Sequence, residues 1–238
     1  MKKSLIAVSL AAVSAFADPA IVGIEANAGY NILSVGSSVD DGNTKSQPSF
    51  GFAVGPTIAL PFNEQFAISG KISFQYDMNR TETKIDGPLG IGSYKAENNQ
   101  SQMSVGFQVA PVFHLSPMFA VKAGYEWDMP LGGSRESKQT TSLGPISYDS
   151  TFNTDLVWAP SKASDLKSNE TPVVSTHNLI LGAAFSLTPT VDFTVQGKFA
   201  LNGSGADYKS NGDLNGAAST DNNIAVHQVA LGINVSFL

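Results

Sequence analysis

"VALGINVSFL", residues 229–238, is the last segment of the chain, and its side chains alternate strictly in character. Every second residue is apolar and the residues between are small or polar; the two sets are Val229, Leu231, Ile233, Val235 and Phe237, and Ala230, Gly232, Asn234 and Ser236. Successive side chains of a β-strand point to opposite faces, so this period of two predicts a strand with one apolar face. The ends of soluble domains are usually poorly ordered. A well-patterned terminal strand therefore indicates a sheet that needs its last strand.

Seven more segments carry the same alternation, so the sequence predicts eight strands. In "VGIEANAGYNI" (22–32), for example, valine, isoleucine and alanine alternate with glycine, glutamate and asparagine. Each segment is about as long as a tilted β-strand that crosses a membrane, and none after residue 17 has the roughly 20 apolar residues of a membrane-spanning helix. The predicted strands cover 22–32, 50–60, 66–78, 102–113, 119–128, 178–187, 191–201 and 224–237.

Short motifs recur at the strand ends, and the links between strands alternate in length. Strands that run towards a short turn end alike, in "GPTIAL" (55–60), "APVFHL" (110–115), "GAAFSL" (182–187) and "GINVSF" (232–237). Strands that leave a short turn begin alike, in "FAISGK" (66–71), "FAVKAG" (119–124) and "FTVQGK" (193–198). The short turns are 61–65, 116–118 and 188–190, and the long links are 34–49, 79–98, 130–175 and 202–222. This asymmetry is typical of an all-β, eight-stranded, antiparallel up-and-down transmembrane β-barrel with long extracellular loops.

The first 17 residues have the three parts of a secretory signal peptide. Two lysines precede the apolar run Leu5–Val13, and Ala15-Phe16-Ala17 is a small-x-small cleavage site. We therefore expect residues 1–17 to be a removable signal peptide and 18–238 to form the barrel. Without the two lysines the chain holds 12 basic and 20 acidic residues, a balance that excludes nucleic acid as a partner. The chain has no cysteine, so no disulfide framework stabilises it.

Aromatic residues favour a membrane barrel over the main alternative, a soluble β-sandwich. A sandwich also alternates, but its apolar face turns inward. Here the polar-side residues are mostly small or charged, as the narrow interior of an eight-stranded barrel requires. The aromatic residues also fall into two groups by height, as the two interfaces of a membrane require. Those near the long links are Tyr30, Tyr76, Tyr125 and Trp127, and those near the short turns are Phe66, Phe113, Phe119, Phe193 and Phe237.

The eight strands, their connections and the closing strand resemble the small outer-membrane barrels of Gram-negative bacteria, the OmpA/OmpX-like group. The resemblance covers nearly all of residues 21–238 and concerns architecture, with no site signature. It implies a place in the bacterial outer membrane, contact with outer-membrane lipid and lipopolysaccharide, and insertion by the barrel-assembly machinery. Members of the group end on an aromatic residue that this machinery reads. That resemblance assigns the assembly signal to Phe237, which Leu238 follows here.

Charged residues occupy the predicted inward face of every second strand. Buried charges must be paired, so we expect lysine–carboxylate pairs that fill and stabilise the lumen. The alternative is a narrow ion-conducting channel in which this network opens, although eight strands leave little room for a pore. The residues of this interior charge network are Glu25, Lys71, Asp77, Lys122, Glu126, Asp128, Asp192 and Lys198.

Signals for catalysis and metal binding are weak. Ser175 and Glu170 precede His177, an order similar to that of lipid A deacylases, but we favour an interfacial histidine without a catalytic role. "VDDGN" (39–43) and "NGDLNG" (211–216) lack the full spacing of a calcium loop and are interpreted as turns. We expect no catalytic residue, no metal and no cofactor.

The long links hold nearly half of the mature chain, so we expect function to reside there. "GPLGIGSY" (87–94) and "SLGPISY" (142–148) each place a Pro-Gly break among apolar residues. They predict that strands three to six of the predicted order continue above the membrane as protruding hairpins. An extended edge in loops 79–98 or 130–175 would bind an extracellular ligand by strand addition. The predicted function is a structural or surface-interaction role without catalysis, ahead of a narrow ion channel and, third, a lipid-modifying outer-membrane enzyme.

Overall fold

The computed structural model describes residues 20–35, 43–87, 92–204, 206–208, 214–217 and 224–237, and most of them lie in β-strands. The predicted signal peptide (1–17) and Leu238 lie outside the described residues. In the described part of the chain, no helix is long and apolar enough to cross a membrane.

Eight antiparallel strands close into a ring, which confirms the predicted up-and-down barrel. The described strands are β1 (Ile21–Val35), β2 (Thr44–Asn63), β3 (Phe66–Asp86), β4 (Ser93–Ser116), β5 (Phe119–Leu143), β6 (Ile146–Trp158), β7 (Glu170–Val173), β8 (Thr176–Thr188), β9 (Val191–Ala200), β10 (Ala206–Tyr208), β11 (Leu214–Ala217) and β12 (Ile224–Phe237). The ring runs β1, β2, β3, β4, β5, β8, β9, β12 and back to β1. β6 and β7 extend the sheet beyond the ring, and β10 pairs with β11 as a separate hairpin.

The barrel closes between its first and last strands. β1 pairs with β12 in one unbroken register, from Val22 opposite Phe237 to Val35 opposite Ile224. An open edge in hydrocarbon would leave a row of backbone N–H and C=O groups without partners. The terminal strand is therefore necessary to the fold.

The outer surface of the barrel is apolar and the inner surface is polar, the reverse of a soluble domain. On β12, Leu231 and Ile233 are 55% and 51% exposed, whereas Glu25 and Asn31 on the inward face of β1 are 5% and 0% exposed. A soluble protein instead places its charged side chains outside. A continuous apolar exterior requires a hydrocarbon environment. The barrel is therefore transmembrane, and the soluble β-sandwich alternative is wrong.

Aromatic pairs between neighbouring strands mark both ends of this apolar belt. We call the end with the short turns the lower end, and the end with the long links the upper end. Aromatic side chains favour the membrane–water interface, so the pairs indicate where the two interfaces lie. Their ring-centroid distances are 5.2 Å for Phe66–Phe113 and 4.8 Å for Phe119–Phe185 at the lower end, and 5.5 Å for Phe52–Tyr76 and 5.6 Å for Phe107–Trp127 at the upper end.

Two outward-facing prolines lie within the barrel strands without shifting the register. The β2–β3 pairing keeps one offset on both sides of Pro56, and the β4–β5 pairing keeps one offset on both sides of Pro111. The backbones approach closely beside Pro111, because a Cβ atom on Gly124 would lie 2.3 Å from the carbonyl oxygen of Val109. Neither proline therefore produces a bulge.

Above the barrel, four ring strands continue as a sheet to which β6 adds a fifth strand. β3 and β4 remain paired as far as Asp86 and Ser93, and β4 pairs with the upper part of β5. β5 then turns at Gly144, whose φ of +57° favours glycine, into β6. We call the segments 44–47, 80–86, 93–99, 133–143 and 146–158 the upper sheet.

The upper sheet occupies much of the links 79–98 and 130–175. The predicted continuation is confirmed for β3, β4 and β5 but is wrong for β8, which begins at Thr176. Above that level β5 pairs with β6 instead of β8. Above the membrane water contacts the outer face of this sheet and the upper part of its inner face, so apolar residues alternate less regularly with polar ones in the extensions of β3, β4 and β5. β6 does alternate, with Ile146, Tyr148 and Phe152 on one face, but it lies within a segment that was predicted to be a loop.

β5 contains a one-residue bulge where it leaves the barrel. Ser104 of β4 pairs with Pro130, but its neighbour Met103 pairs with Gly132, so Leu131 is an extra residue on β5. An extra residue reverses which side chains face inward. Below the bulge Glu126 points into the lumen, and above it Arg135 points towards the barrel axis, where it contacts Asn98.

The chain between β6 and β8 folds back across the upper end of the lumen, the mouth of the barrel, and forms a small apolar core there. β7 runs parallel to the end of β6. The backbone N–H of Ala159 donates to the carbonyl of Val173 at 2.8 Å, and that of Val174 donates to the carbonyl of Ser204 at 2.9 Å. The side chains of Leu156 and Val173 are buried, as is that of Leu33 on β1. Part of the link 130–175 is therefore ordered structure that covers the lumen.

Ile233→Arg places a charge midway along the lipid-facing side of β12, and we expect it to destabilise the folded barrel by about 2–4 kcal/mol because hydrocarbon solvates a guanidinium poorly. Thr151→Arg on the exposed β6 is the matched control and should change the free energy of unfolding by less than about 0.5 kcal/mol. Urea unfolding of the barrel in lipid vesicles measures both. Equal midpoints would contradict the assignment of Ile233 to the lipid-facing side.

Candidate functional site

Three charged side chains meet in the lower half of the lumen. Lys71 Nζ lies 2.9 Å from Glu25 Oε1, and Lys122 Nζ lies 3.5 Å from Glu25 Oε2. The amide of Asn27 also donates to Glu25 Oε1 at 2.7 Å. We call Glu25, Lys71 and Lys122 the lower cluster. One carboxylate between two lysines gives it a net positive charge.

A second group, the upper cluster, consists of Glu126, Asp128 and Lys198. Lys198 Nζ lies 2.9 Å from Glu126 Oε1 and 2.5 Å from Asp128 Oδ2. The amide nitrogen of Gln75 donates to both carboxylates, at 3.1 and 3.0 Å, and its oxygen accepts from Lys198 at 2.8 Å. Asn178 donates to Asp128 at 2.8 Å. One lysine between two carboxylates gives this cluster a net negative charge.

Neutral groups bind the two remaining carboxylates of the predicted network. Asp77 accepts hydrogen bonds from the amides of Asn31 at 3.0 Å and Gln228 at 3.4 Å. Asp192 accepts from Ser186 at 2.7 Å and Asn234 at 3.4 Å. Within the described residues, neither carboxylate has a lysine at ion-pair distance. Hydrogen bonds from neutral groups, with no lysine in contact, offset the cost of placing these two half-buried carboxylates in the lumen.

The lumen contacts form separate clusters rather than one continuous network. Among the described side chains, no hydrogen bond or ion pair joins the lower cluster to the upper one. Buried Gln108 and Gln196 each leave a side-chain oxygen without a partner in the same interior. Sequence reasoning that considered only charged residues missed the amide side chains that bind the carboxylates. These amides could have been found from the sequence, because they occupy inward-facing positions of the predicted strands. Those amides belong to Asn27, Asn31, Gln75, Asn178, Gln228 and Asn234.

Glycines on the inward face make room for these polar contacts. A Cβ atom on Gly106 would lie 2.0 Å from Gln75 Nε2 and 2.8 Å from Asp128 Oδ1. A Cβ atom on Gly232 would lie 1.7 Å from Asn27 Oδ1. A larger residue at either position would displace the amide that binds a buried carboxylate.

Two cavities lie at opposite ends of the lumen. The lower cavity has a volume of ≈ 190 Å³ and its lining includes all three residues of the lower cluster. The upper cavity measures ≈ 40 Å³ and is lined by Asp77, Asp128 and Lys198 among others. Buried side chains that include Ser73, Gln75 and Glu126 lie between them. The structure therefore shows a filled barrel rather than a continuous passage.

The histidines lie at the ends of the barrel strands. His177, on the outer face of β8, contacts the hydroxyl of Tyr125 through Nδ1, and His227 accepts at Nδ1 from the backbone N–H of Ala200 at 3.2 Å. His114 lines the lower cavity. The carboxylate of Glu170 binds Lys167, at 3.0 Å. The structure does not bring Glu170, Ser175 and His177 into one hydrogen-bonded chain.

The outer face of the upper sheet carries ion pairs. Lys84 Nζ lies 2.9 Å and Lys95 Nζ 3.5 Å from the carboxylate of Glu82. The hydrogen bond from Lys84, together with both lysine charges, holds the pKa of the Glu82 carboxyl below its ordinary value. Such exposed pairs contribute little to stability. They make this face of the sheet soluble.

The two loops that resemble calcium-binding turns, 39–43 and 211–216, lie partly outside the described residues. In the part of the chain that the structure describes, no three histidine or acidic side chains are grouped as metal ligands.

No protein-family model and no curated protein sequence matches this chain. In fold the chain is similar to solved outer-membrane β-barrels. One is Ail, the attachment invasion locus protein of Yersinia pestis, at 12% identity over 91% of this chain and 98% of that chain, with a TM-score of 0.38. Others are Neisserial surface protein A (14% identity, 92% and 100%, TM-score 0.37) and the outer membrane protease OmpT from Escherichia coli (8%, 92% and 96%, TM-score 0.41). These are likenesses of architecture, and the fold of this chain is established by its own strand register.

Glu25→Gln leaves Lys71 and Lys122 buried without a carboxylate, and we expect the barrel to lose about 3–5 kcal/mol of stability. Lys122→Met should cost less, because Lys71 and Asn27 still bind Glu25. Lys138→Met breaks only the exposed pair with Glu136 and should cost less than about 1 kcal/mol. Urea unfolding in lipid vesicles would rank the three variants. The same loss for Glu25→Gln and Lys138→Met would mean that the lower cluster does not stabilise the barrel.

Proposed function

We propose that this chain is an outer-membrane barrel of a Gram-negative bacterium whose upper end faces outward and whose upper sheet binds another polypeptide. The observation that carries the proposal is the free edge of β6. One edge of β6 pairs with β5 over most of its length, from Ile146 opposite Leu143 to Leu156 opposite Gly133. The other edge of β6 pairs with β7 only from Asp155 to Trp158. Within the described residues, the stretch 146–154 is thus paired on one side only.

This edge carries only one of the features that normally protect an exposed strand, the charge of Asp149. Natural edge strands carry lysine, proline or inward-pointing charges, which discourage pairing with other chains. Residues 146–154, "ISYDSTFNT", contain no lysine and no proline. Tyr148 is 70% exposed, and Ile146 and Phe152 are also largely exposed on the same face. An extended peptide that added to this edge would gain a backbone ladder and aromatic contacts.

The interior of the barrel supports a structural role for the membrane-spanning part. Two ion-pair clusters and the amides around them fill the lumen, so the barrel acts as a rigid base for the upper sheet. Outer-membrane lipid is the natural neighbour of the apolar belt, and contact with lipopolysaccharide remains a prediction. Phe237 lies exposed at the lower rim, and its role as the signal for the barrel-assembly machinery also remains a prediction.

We propose no catalytic role. The third alternative, a lipid-modifying enzyme, would need Ser175, His177 and an acidic residue to act together. His177 instead contacts Tyr125 in the upper aromatic belt, and Glu170 is bound by Lys167. Comparison of lipid A from cells with and without the protein tests this alternative.

A nine-residue peptide of alternating threonine and valine should bind the β6 edge, because it can add a strand without specific side-chain pockets. N-methylation that blocks two of its backbone N–H groups should weaken binding roughly 30-fold, since each lost hydrogen bond is worth about 1 kcal/mol. Fluorescence polarisation with the barrel in detergent micelles measures both affinities.

The matched control for the peptide experiment is a shortened hairpin. Replacing Gln139–Ser150 by an Asn-Gly turn leaves Lys138 opposite Thr151 as the closing pair. This variant should keep the barrel folded, as shown by its heat-modifiable electrophoretic mobility, and should not bind the peptide. Equal binding of the methylated and unmethylated peptides would refute strand addition.

A narrow ion channel is the second candidate function. The observation that favours it is the charged lining of both lumen cavities, by Lys71 and Lys122 below and by Lys198 above. Conduction would require the side chains between these cavities, including Gln75 and Glu126, to move aside.

Planar bilayers that contain the purified barrel should show no steady conductance, because the polar side chains between the cavities are packed and bonded. Lys71→Ala should leave the barrel closed, since Lys122 still binds Glu25. A steady, ion-selective current through the unmodified protein that changes in Lys71→Ala would contradict the structural role and support the channel function.

A further inference from the structure

A third cavity lies above the barrel mouth, between the upper sheet and β7. Its volume is ≈ 110 Å³, and side chains from β3, β4, β5, β6 and β7 line it. One water molecule accounts for about 30 Å³ of liquid volume, so the space is large enough for a small organic molecule. We call it the mouth cavity.

Arg135 is the charged residue in the lining of the mouth cavity. Its guanidinium donates to Asn98 Oδ1 at 3.2 Å, and no carboxylate of the described residues lies at ion-pair distance. The neighbouring acid on β5, Glu136, faces the other side of the sheet and pairs with Lys138 at 3.3 Å. A guanidinium has five N–H donors in a planar fork that fits a carboxylate. Arg135 therefore presents an uncompensated positive charge to a half-enclosed space.

The remainder of the mouth cavity is partly apolar. Leu33, Leu156 and Val173, all buried, face the same space, together with Pro172. Contact between an inorganic anion and these side chains would add no binding free energy, because apolar side chains favour binding only when apolar groups of the ligand cover them. A ligand that satisfies both sides of the cavity has an anionic head and a short apolar tail.

We propose that the mouth cavity is a binding site for a short-chain aliphatic carboxylate. The carboxylate accepts hydrogen bonds from the guanidinium of Arg135, and the hydrocarbon tail lies against Leu156 and Val173. The cavity volume of ≈ 110 Å³ accommodates a tail of a few carbon atoms. The site does not involve the free edge of β6, so it stands or falls independently of strand addition.

The direction of Arg135 is set by the bulge at Leu131. If β5 continued its lower register through this point, Arg135 would share the outward side of β5 with Tyr125 and Trp127. The bulge and the fold of β7 over the mouth thus place one arginine and a small apolar core around a single space.

Isothermal titration of the full barrel in detergent with acetate, butyrate and inorganic phosphate, at constant ionic strength, tests the proposal. Affinity should rise about fourfold for each methylene group that the cavity buries, so butyrate should bind about 15-fold more tightly than acetate. Phosphate should bind more weakly than butyrate. Arg135→Gln should weaken butyrate binding about tenfold or more, because a charge-assisted hydrogen bond is lost.

Two variants separate the head and tail contacts. Lys138→Gln makes the same change of charge on the same strand but on the other face, and it should leave binding unchanged. Val173→Thr keeps the side-chain shape and should reduce the preference for butyrate over acetate. Absence of saturable butyrate binding, unchanged binding in Arg135→Gln, or phosphate binding as tight as that of butyrate would each overturn the proposal.

Discussion

The need to pair every backbone N–H and C=O group within hydrocarbon governs this structure. Lipid offers no hydrogen-bonding partner, so a sheet in the membrane has no stable form except a closed one. The chain meets this condition by returning its last strand to its first, along the whole length from Val22 to Val35. Closure fixes the inside and the outside of the sheet. Every other property of the barrel follows from which face a side chain occupies.

A closed ring of eight strands has a narrow interior, which is lined by the side chain of every second residue. Because the sequence alternates, the strand positions between the lipid-facing apolar residues are mostly polar, and their side chains point into the lumen. Three lysines therefore meet carboxylates in two clusters, and amides from neighbouring strands complete them. Small residues such as Gly106 leave the space that these groups occupy. The lumen is stabilised by polar contacts where a soluble domain would use apolar ones.

The sequence predicted the barrel because lipid on one face and a polar lumen on the other impose a strict period of two. It also predicted which charged residues face inward, since that depends on strand parity alone. It did not predict their partners, because the strand tilt decides which side chains meet across the lumen, and Asp77 meets amides rather than a lysine. β6 and β7 lie within a link that was predicted to be a loop, although Ile146, Tyr148 and Phe152 of β6 share one face. Arg135 was hidden by the bulge that reverses its direction.

The bulge at Leu131 divides β5 into two parts with independent sequence rules. Below the bulge, a side chain must suit either lipid or the polar lumen. Above it, a side chain must suit either water or the covered mouth of the barrel. Surface hairpins can therefore diverge without disturbing the membrane part, provided that the offset at the bulge is kept. A strand that continued the lower register through this point would turn Glu136 and Lys138 towards the axis and Arg135 outward. The offset at Leu131, more than the identity of the residue there, thus decides which side chains reach the mouth.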